Sequence, residues 1–182
     1  MGLAERVTWI GTGNVDTMLG SLKSKQVDVL VNSASLLEES KQQGWGTLLF
    51  DGTDEAIWNK YIGGKVPVTG HFTVQSTIDK DPPKMQAYVT ALWRAALWIK
   101  THSPNEVADM IEPYVGSTSR DANLIEIAAL QKVADYDGII DEASFKRGEK
   151  VWFREMTGIK PLTIAEVVAS DFVAVARKAY PN

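Results

Sequence analysis

The sequence predicts an α/β fold, a short, mainly parallel sheet followed by a helical C-terminal half. Three observations lead there. Within the first 65 residues three apolar runs, Arg6–Ile10, "VDVLV" at 27–31 and "GTLLFD" at 46–51, alternate with segments of helical pattern. That is the strand-helix rhythm of a parallel sheet with right-handed crossovers. The composition then changes near residues 62–83, and beyond it nearly every segment has a helical period. Finally, 182 residues at 45% hydrophobic and 23% charged supply enough apolar material for the core that such a domain needs.

Each element has a local reason. Val15–Lys25 places Val15, Met18, Leu19 and Leu22 on one helical face, with Asn14 at the N-cap and Asp16 in the first turn. "VDVLV" is almost wholly apolar, as a strand buried on both faces would be. Ala34–Gln43 forms a second helix with Leu36 and Leu37 inward, and Gly44 follows it as a C′ residue. A short helix, Asp54–Tyr61, follows the third strand. "VPVTGHFTVQST" then reads as extended, because Val66, Val68, Phe72 and Val74 nearly alternate. Pro82 or Pro83 opens a long helix whose stripe is Met85, Val89, Leu92, Ala96 and Ile99. "SPNE" at Ser103–Glu106 is a capping box for a helix that ends near Pro113. "STSRDANLIEIAALQKV" gives a helix with Leu124, Ile127, Ala128 and Leu130 inward. Asp141–Met156 and Ile164–Lys178 complete the set, separated by Gly158 and Pro161.

Bulk chemistry excludes several functions. A net charge of −4 provides no electrostatic pull toward nucleic acid or anionic lipid. There is no cysteine, hence no disulfide, thiolate nucleophile or cysteine-based metal site. The longest apolar-leaning run, "MQAYVTALWRAALWI", is interrupted by Arg94 and too short to span a bilayer. "MGLAERVTWIG" lacks the basic start and long apolar core of a signal peptide, so no export signal is expected.

The candidate functional residues are small and polar. Gly11 and Gly13 lie in a strand-to-helix turn but lack the third glycine of a dinucleotide fingerprint and the Gly-Lys-Ser/Thr ending of a P-loop. Free N–H groups there can hold an anion, or the turn can be simple geometry. "NSAS", Asn32–Ser35, falls at the end of an apolar strand, where open parallel sheets bind ligands; it equally suits plain N-capping. His71 lies in the segment joining the two halves, whereas His102 suits a helix C-terminus. The two histidines have no metal-ligand spacing. "DYDGIIDE", with Asp135, Asp137 and Asp141, lacks the full ligand spacing of a calcium loop. No Ser-His-Asp order or activated lysine stands out, so no enzyme activity, metal or cofactor is expected. Core packing is the expectation for all six tryptophans, Trp9, Trp45, Trp58, Trp93, Trp98 and Trp152.

"LGSLKSKQVDVLVNSASLLEESKQQGWGTLLFD" resembles a segment of the solute-binding proteins of ABC importers, in the class that handles nitrate, sulfonates, taurine and thiamine-pyrimidine precursors. "TVQSTIDKDPPKMQAYVTALWRAALWIKTHSPNEVADMI" and "ASDFVAVARKAY" are similar to later blocks of the same family, in the same order. The resemblance implies the C-terminal portion of a type II periplasmic-binding-protein fold. Residues 1–65 would be part of the second lobe, 66–81 a hinge crossover, and 82–182 a helical region. It implies binding of a small polar solute without chemistry, by Thr12, Gly13, Asn14, Asn32, Ser33, Ser35, Gly70 and His71. It also implies delivery to an ABC permease, and a periplasmic or lipid-anchored extracellular location. If Met1 is the true start, a cytoplasmic location and an interaction or sensor module derived from such a receptor are the alternative. A synthase of a pyrimidine precursor is a more remote relative, and its cysteine-rich motif has no counterpart here. The family's first lobe and the opening strand of its second lobe have no counterpart in these residues. Two strands would then have unpaired inner edges, which makes a homo-oligomer, with a swapped dimer as one form, the expected assembly.

Overall fold

In a computed structural model the chain is helical, and the structure describes residues 6–115, 119–152, 158 and 160–181. No β-strand occurs among the described residues. The helices are α1 (Val15–Lys23), α2 (Ala34–Gln42), α3 (Glu55–Tyr61), α4 (Gln75–Lys80), α5 (Pro82–Thr101), α6 (Pro104–Ile111), α7 (Arg120–Val133), α8 (Glu142–Trp152), α9 (Ile164–Val167) and α10 (Ser170–Ala179). A single tighter turn, Glu112–Tyr114, follows α6.

Local chemistry sets most of these boundaries. Asn14 caps α1 by accepting from the Thr17 N–H at 3.1 Å, Asp54 caps α3 from Ile57, and Asp81 caps α5 from Lys84. The capping box of α6 is complete: Glu106 accepts from the Ser103 N–H at 2.8 Å, and Ser103 accepts from the Glu106 N–H. Gly44 takes the left-handed conformation (φ 72°) just past α2, and its N–H bonds the Lys41 carbonyl.

The expected parallel sheet is absent, and this corrects the α/β assignment. Its three apolar runs lie outside the helices and face solvent instead: Trp9 is 82% exposed, Val31 81% and Leu49 76%. The helical period was a sufficient guide because each turn bonds within itself; a strand needs a neighbour, and these runs find none among the described residues. The segment 66–77 is also shorter than expected as an extended stretch, since α4 begins at Gln75. Ile164–Lys178 is two helices, divided where Val168 and Ala169 leave the helical conformation. On α7 only Ile127 is buried; Ala128 and Leu130 face water. Of the tryptophans only Trp93 among the described side chains is buried, and Trp9 corrects the core expectation outright. Residues 153–156 of the expected helix Asp141–Met156 lie outside the described residues.

α5 is the spine. On one side α10 packs against it, with Ala176 fully buried and Trp93 5% exposed. The Trp93 indole N–H donates to the Tyr180 carbonyl at 2.7 Å, and Gln86 donates to the Phe172 carbonyl at 2.9 Å. Toward its C-terminal end α5 presents Trp98 and Ile99 to a cluster of Val107 and Ala108 from α6 and Ile127 from α7. Gln131 of α7 ties that end down by donating to the carbonyls of Ile99 and His102. α7 packs in turn against α2. No helix of the described residues is long and apolar enough to cross a membrane.

The accessible surface is 13,790 Å², against about 8,700 Å² for a compact monomer of 20.0 kDa. Among the described residues only six apolar ones are buried, so each counts heavily. Trp93→Ala removes the largest of them together with its bond to Tyr180. The expected cost is about 3–5 kcal/mol, enough to detach α10 from α5. Urea denaturation followed by far-UV circular dichroism should show the midpoint falling sharply; an unchanged midpoint would contradict this packing.

Candidate functional site

The expected site residues fall into three separate hydrogen-bonded sets. Thr12, Gly13 and Asn14 build the turn before α1. Gly13 is left-handed (φ 79°), and a Cβ there would stand 3.0 Å from Thr17 Oγ1. Thr17 Oγ1 donates to the Thr12 carbonyl and lies 2.9 Å from the Asn14 carbonyl. The turn is thus fastened onto its own helix, and glycine at 13 serves geometry.

The second set is the N-terminus of α2. Ser33 occupies the N-cap position, yet its side chain makes no capping bond. The donors are instead taken by Glu126 of α7, ninety-one residues away. Glu126 Oε1 accepts from the Ser35 N–H at 2.8 Å and from the Ser35 hydroxyl at 2.6 Å. Burial pushes the Glu126 carboxyl up, but hydrogen bonds from the Ser33 and Ser35 hydroxyls and the N–H groups of Ser35 and Ala34 outweigh it and hold it below its ordinary range. Asn32 turns elsewhere: its carbonyl oxygen accepts from the Ser33 N–H, and its amide faces Met18 of α1. Glu126 is not among the candidates that the sequence offers. Its position on α7, next to the buried Ile127, could have marked it as a residue facing a neighbour.

Gly70 and His71 form the third set. His71 Nδ1 is 2.8 Å from the Tyr88 hydroxyl of α5, with the rings edge-on at 5.8 Å. Nothing lies within 4 Å of a Cβ built on Gly70. Among the described residues, hydrogen bonds do not join the eight into one group; Asn32 reaches from its own set to α1 through Met18.

Two further places carry polar chemistry. The ammonium of Lys65 lies 2.5 Å from Asp135 and 3.9 Å from Asp137, so the acidic run "DYDGIIDE" is answered by a lysine. Hydrogen bonding to Asp135 holds that ammonium above its ordinary range. An open groove of about 610 Å³ lies between the end of α5, α6 and the following turn, bordered by Trp98, His102, Glu106, Asp109, Met110 and Tyr114. There His102 stacks on Trp98 at 4.0 Å, and its Nδ1–H donates to the Trp98 carbonyl at 2.6 Å, closing the C-terminus of α5 as expected. No cluster of three or more metal-ligating side chains occurs among the described residues.

No family model matches this chain, and neither a curated protein nor a solved structure matches it. The geometry therefore stands alone, and its most specific polar feature is a carboxylate seated on the serines of α2.

That seat has a pH signature. The Glu126 carboxyl is depressed in the folded chain, so its contribution is complete above the unfolded value near 4.5 and is lost as pH falls below it. Glu126→Gln keeps the shape but removes the titration. Denaturation midpoints of the wild type should therefore approach those of the variant as pH drops from about 4.5 toward 3. Parallel curves across that window would show that Glu126 is not so held.

Proposed function

We propose that the chain is the ligand-holding part of a solute-binding component of an ABC importer, taking a small polar solute and performing no chemistry on it. Three ordered blocks of resemblance support this reading, and one structural observation carries it. The N-terminus of α2 receives a planar oxyanion, the Glu126 carboxylate, on the Ser35 N–H and hydroxyl. Nitrate and sulfonates present similar oxygens to such donors. A solute would exchange with Glu126 there, and Asn32 and Ser33 stand beside the exchange. The loaded form would be handed to a membrane permease, and the remaining walls of the pocket would come from polypeptide packed on the exposed apolar runs.

A second reading is a protein-interaction module. The large exposed apolar surface favours it, since surface of that extent marks contact with another macromolecule.

A thermal-shift screen separates the two. Nitrate, taurine, other sulfonates and pyrimidines are tested against the wild type and Glu126→Gln. A specific solute at 100 times its Kd adds about 2.7 kcal/mol, a rise of several degrees in Tm. The variant, freed of its resident carboxylate, should bind the anionic solutes more tightly. No shift with any compound in either protein would remove the receptor reading and leave the interaction module.

A further inference from the structure

We infer that the segment Val66–Val74 is a docking strand for a second copy of this chain, pairing antiparallel with its own twin across a two-fold axis at Gly70. The segment lies outside every helix and carries no Lys, Arg, Asp or Glu. Its residues divide cleanly at period two. Drawn out as a strand, with the bend at Thr69 straightened, Val66, Val68, Gly70, Phe72 and Val74 would share one face and Pro67, Thr69, His71 and Thr73 the other. His71 is bonded to Tyr88 of α5, while Thr69, His71 and Thr73 all remain exposed. On the apolar face Phe72 is 99% exposed and Val68 and Val74 are each 64% exposed, whereas Val66 is half-buried. A charge-free, alternating, exposed segment lacks the charged side chains that keep strand edges apart, Pro67 being the one such device it carries.

Self-complementarity selects the occupant. Centred on Gly70, an antiparallel twin sets Val68 against Phe72 and Val66 against Val74, twice each. Pairs of an aromatic with a β-branched residue are the favourable kind, and an isologous interface needs this self-matching. Placing the Gly70 pair at a hydrogen-bonded position leaves the Pro67 pair at a non-bonded one, where a missing N–H costs nothing. Glycine at the axis lets the two backbones approach without side-chain crowding. The area agrees: the chain exposes roughly 5,000 Å² more than a compact monomer, whereas stable interfaces bury about 1,200–2,000 Å² in total or more. This pairing does not depend on the receptor reading, since it uses no solute.

The chain's lack of cysteine makes the test direct. Light scattering on the wild type should give twice the 20.0 kDa chain mass at micromolar concentration. Phe72→Lys, which changes a side chain in open solvent, should weaken the dimer by at least about tenfold. It should also remove the amide-I strand band, with helical circular dichroism intact. Trp9→Lys, an exposed apolar residue outside the segment, should leave the dimer unchanged. Under mild oxidation Gly70→Cys should form a disulfide between copies, because paired Cα atoms stand about 5.5 Å apart, within disulfide reach. Phe72→Cys should not, its twin lying about 13 Å along the ribbon. A monomeric wild type would overturn the inference and leave the segment to a different polypeptide. Equal cross-linking at 70 and 72, or a dimer untouched by Phe72→Lys, would overturn it too.

Discussion

Burial on α5 is the interaction on which the remaining structure rests. This twenty-residue helix, the longest among the described residues, serves two neighbours, with Trp93 facing α10 and Trp98 and Ile99 facing the α6–α7 cluster. A short helix in water is marginal by itself and persists by packing an amphipathic face. α10 has Ala176 and the Trp93–Tyr180 bond for that purpose; α6 and α7 have Val107, Ala108 and Ile127. Farther from α5 the packing thins. α2 is held by α7 through Leu36 and the Glu126 seat, and α3 buries no residue at all.

A consequence of this arrangement is that polar fastenings replace apolar ones in the N-terminal half. Ser35 on Glu126, Lys132 on Thr53, Lys65 on Asp135 and Arg147 on the Lys65 carbonyl all join segments far apart in sequence. The exposed ones among them, Lys132 on Thr53, Lys65 on Asp135 and Arg147 on the Lys65 carbonyl, contribute little each, because water competes for the same groups. They position segments more than they stabilise them. The result is a molecule whose C-terminal half has a small core and whose N-terminal half presents apolar runs to any surface able to cover them.

The legible part of the fold was helical. Asn14, Asp54, Pro82 and the Ser103–Glu106 box announce helix starts that the structure places within a residue or two. The misread part was the sheet. "VTWI", "VDVLV" and "TLLF" have the composition of buried strands, and composition was sound evidence of their wish for burial; it held no information about whether a neighbour would be present. Among the candidate site residues, Asn14 and Ser33 were legible as helix-start residues, but the joining of Ser35 to Glu126 was not. No local pattern connects positions ninety-one apart.

Sequence by itself determined where α1, α3, α5 and α6 begin, since a cap is a bond between residues three apart and needs nothing else; α4 and the break between α9 and α10 were not legible in it. It also determined which runs are apolar, the absence of thiol chemistry, and the period-two pattern of Val66–Val74. Tertiary structure alone decided that the apolar runs lie unpaired, that α5 carries the core, and that a distant glutamate occupies the donors of α2. The reason is one of range. Helical bonds close within a turn, whereas strands, cores and seated carboxylates need a second segment brought near, and only the folded chain specifies which segment that is.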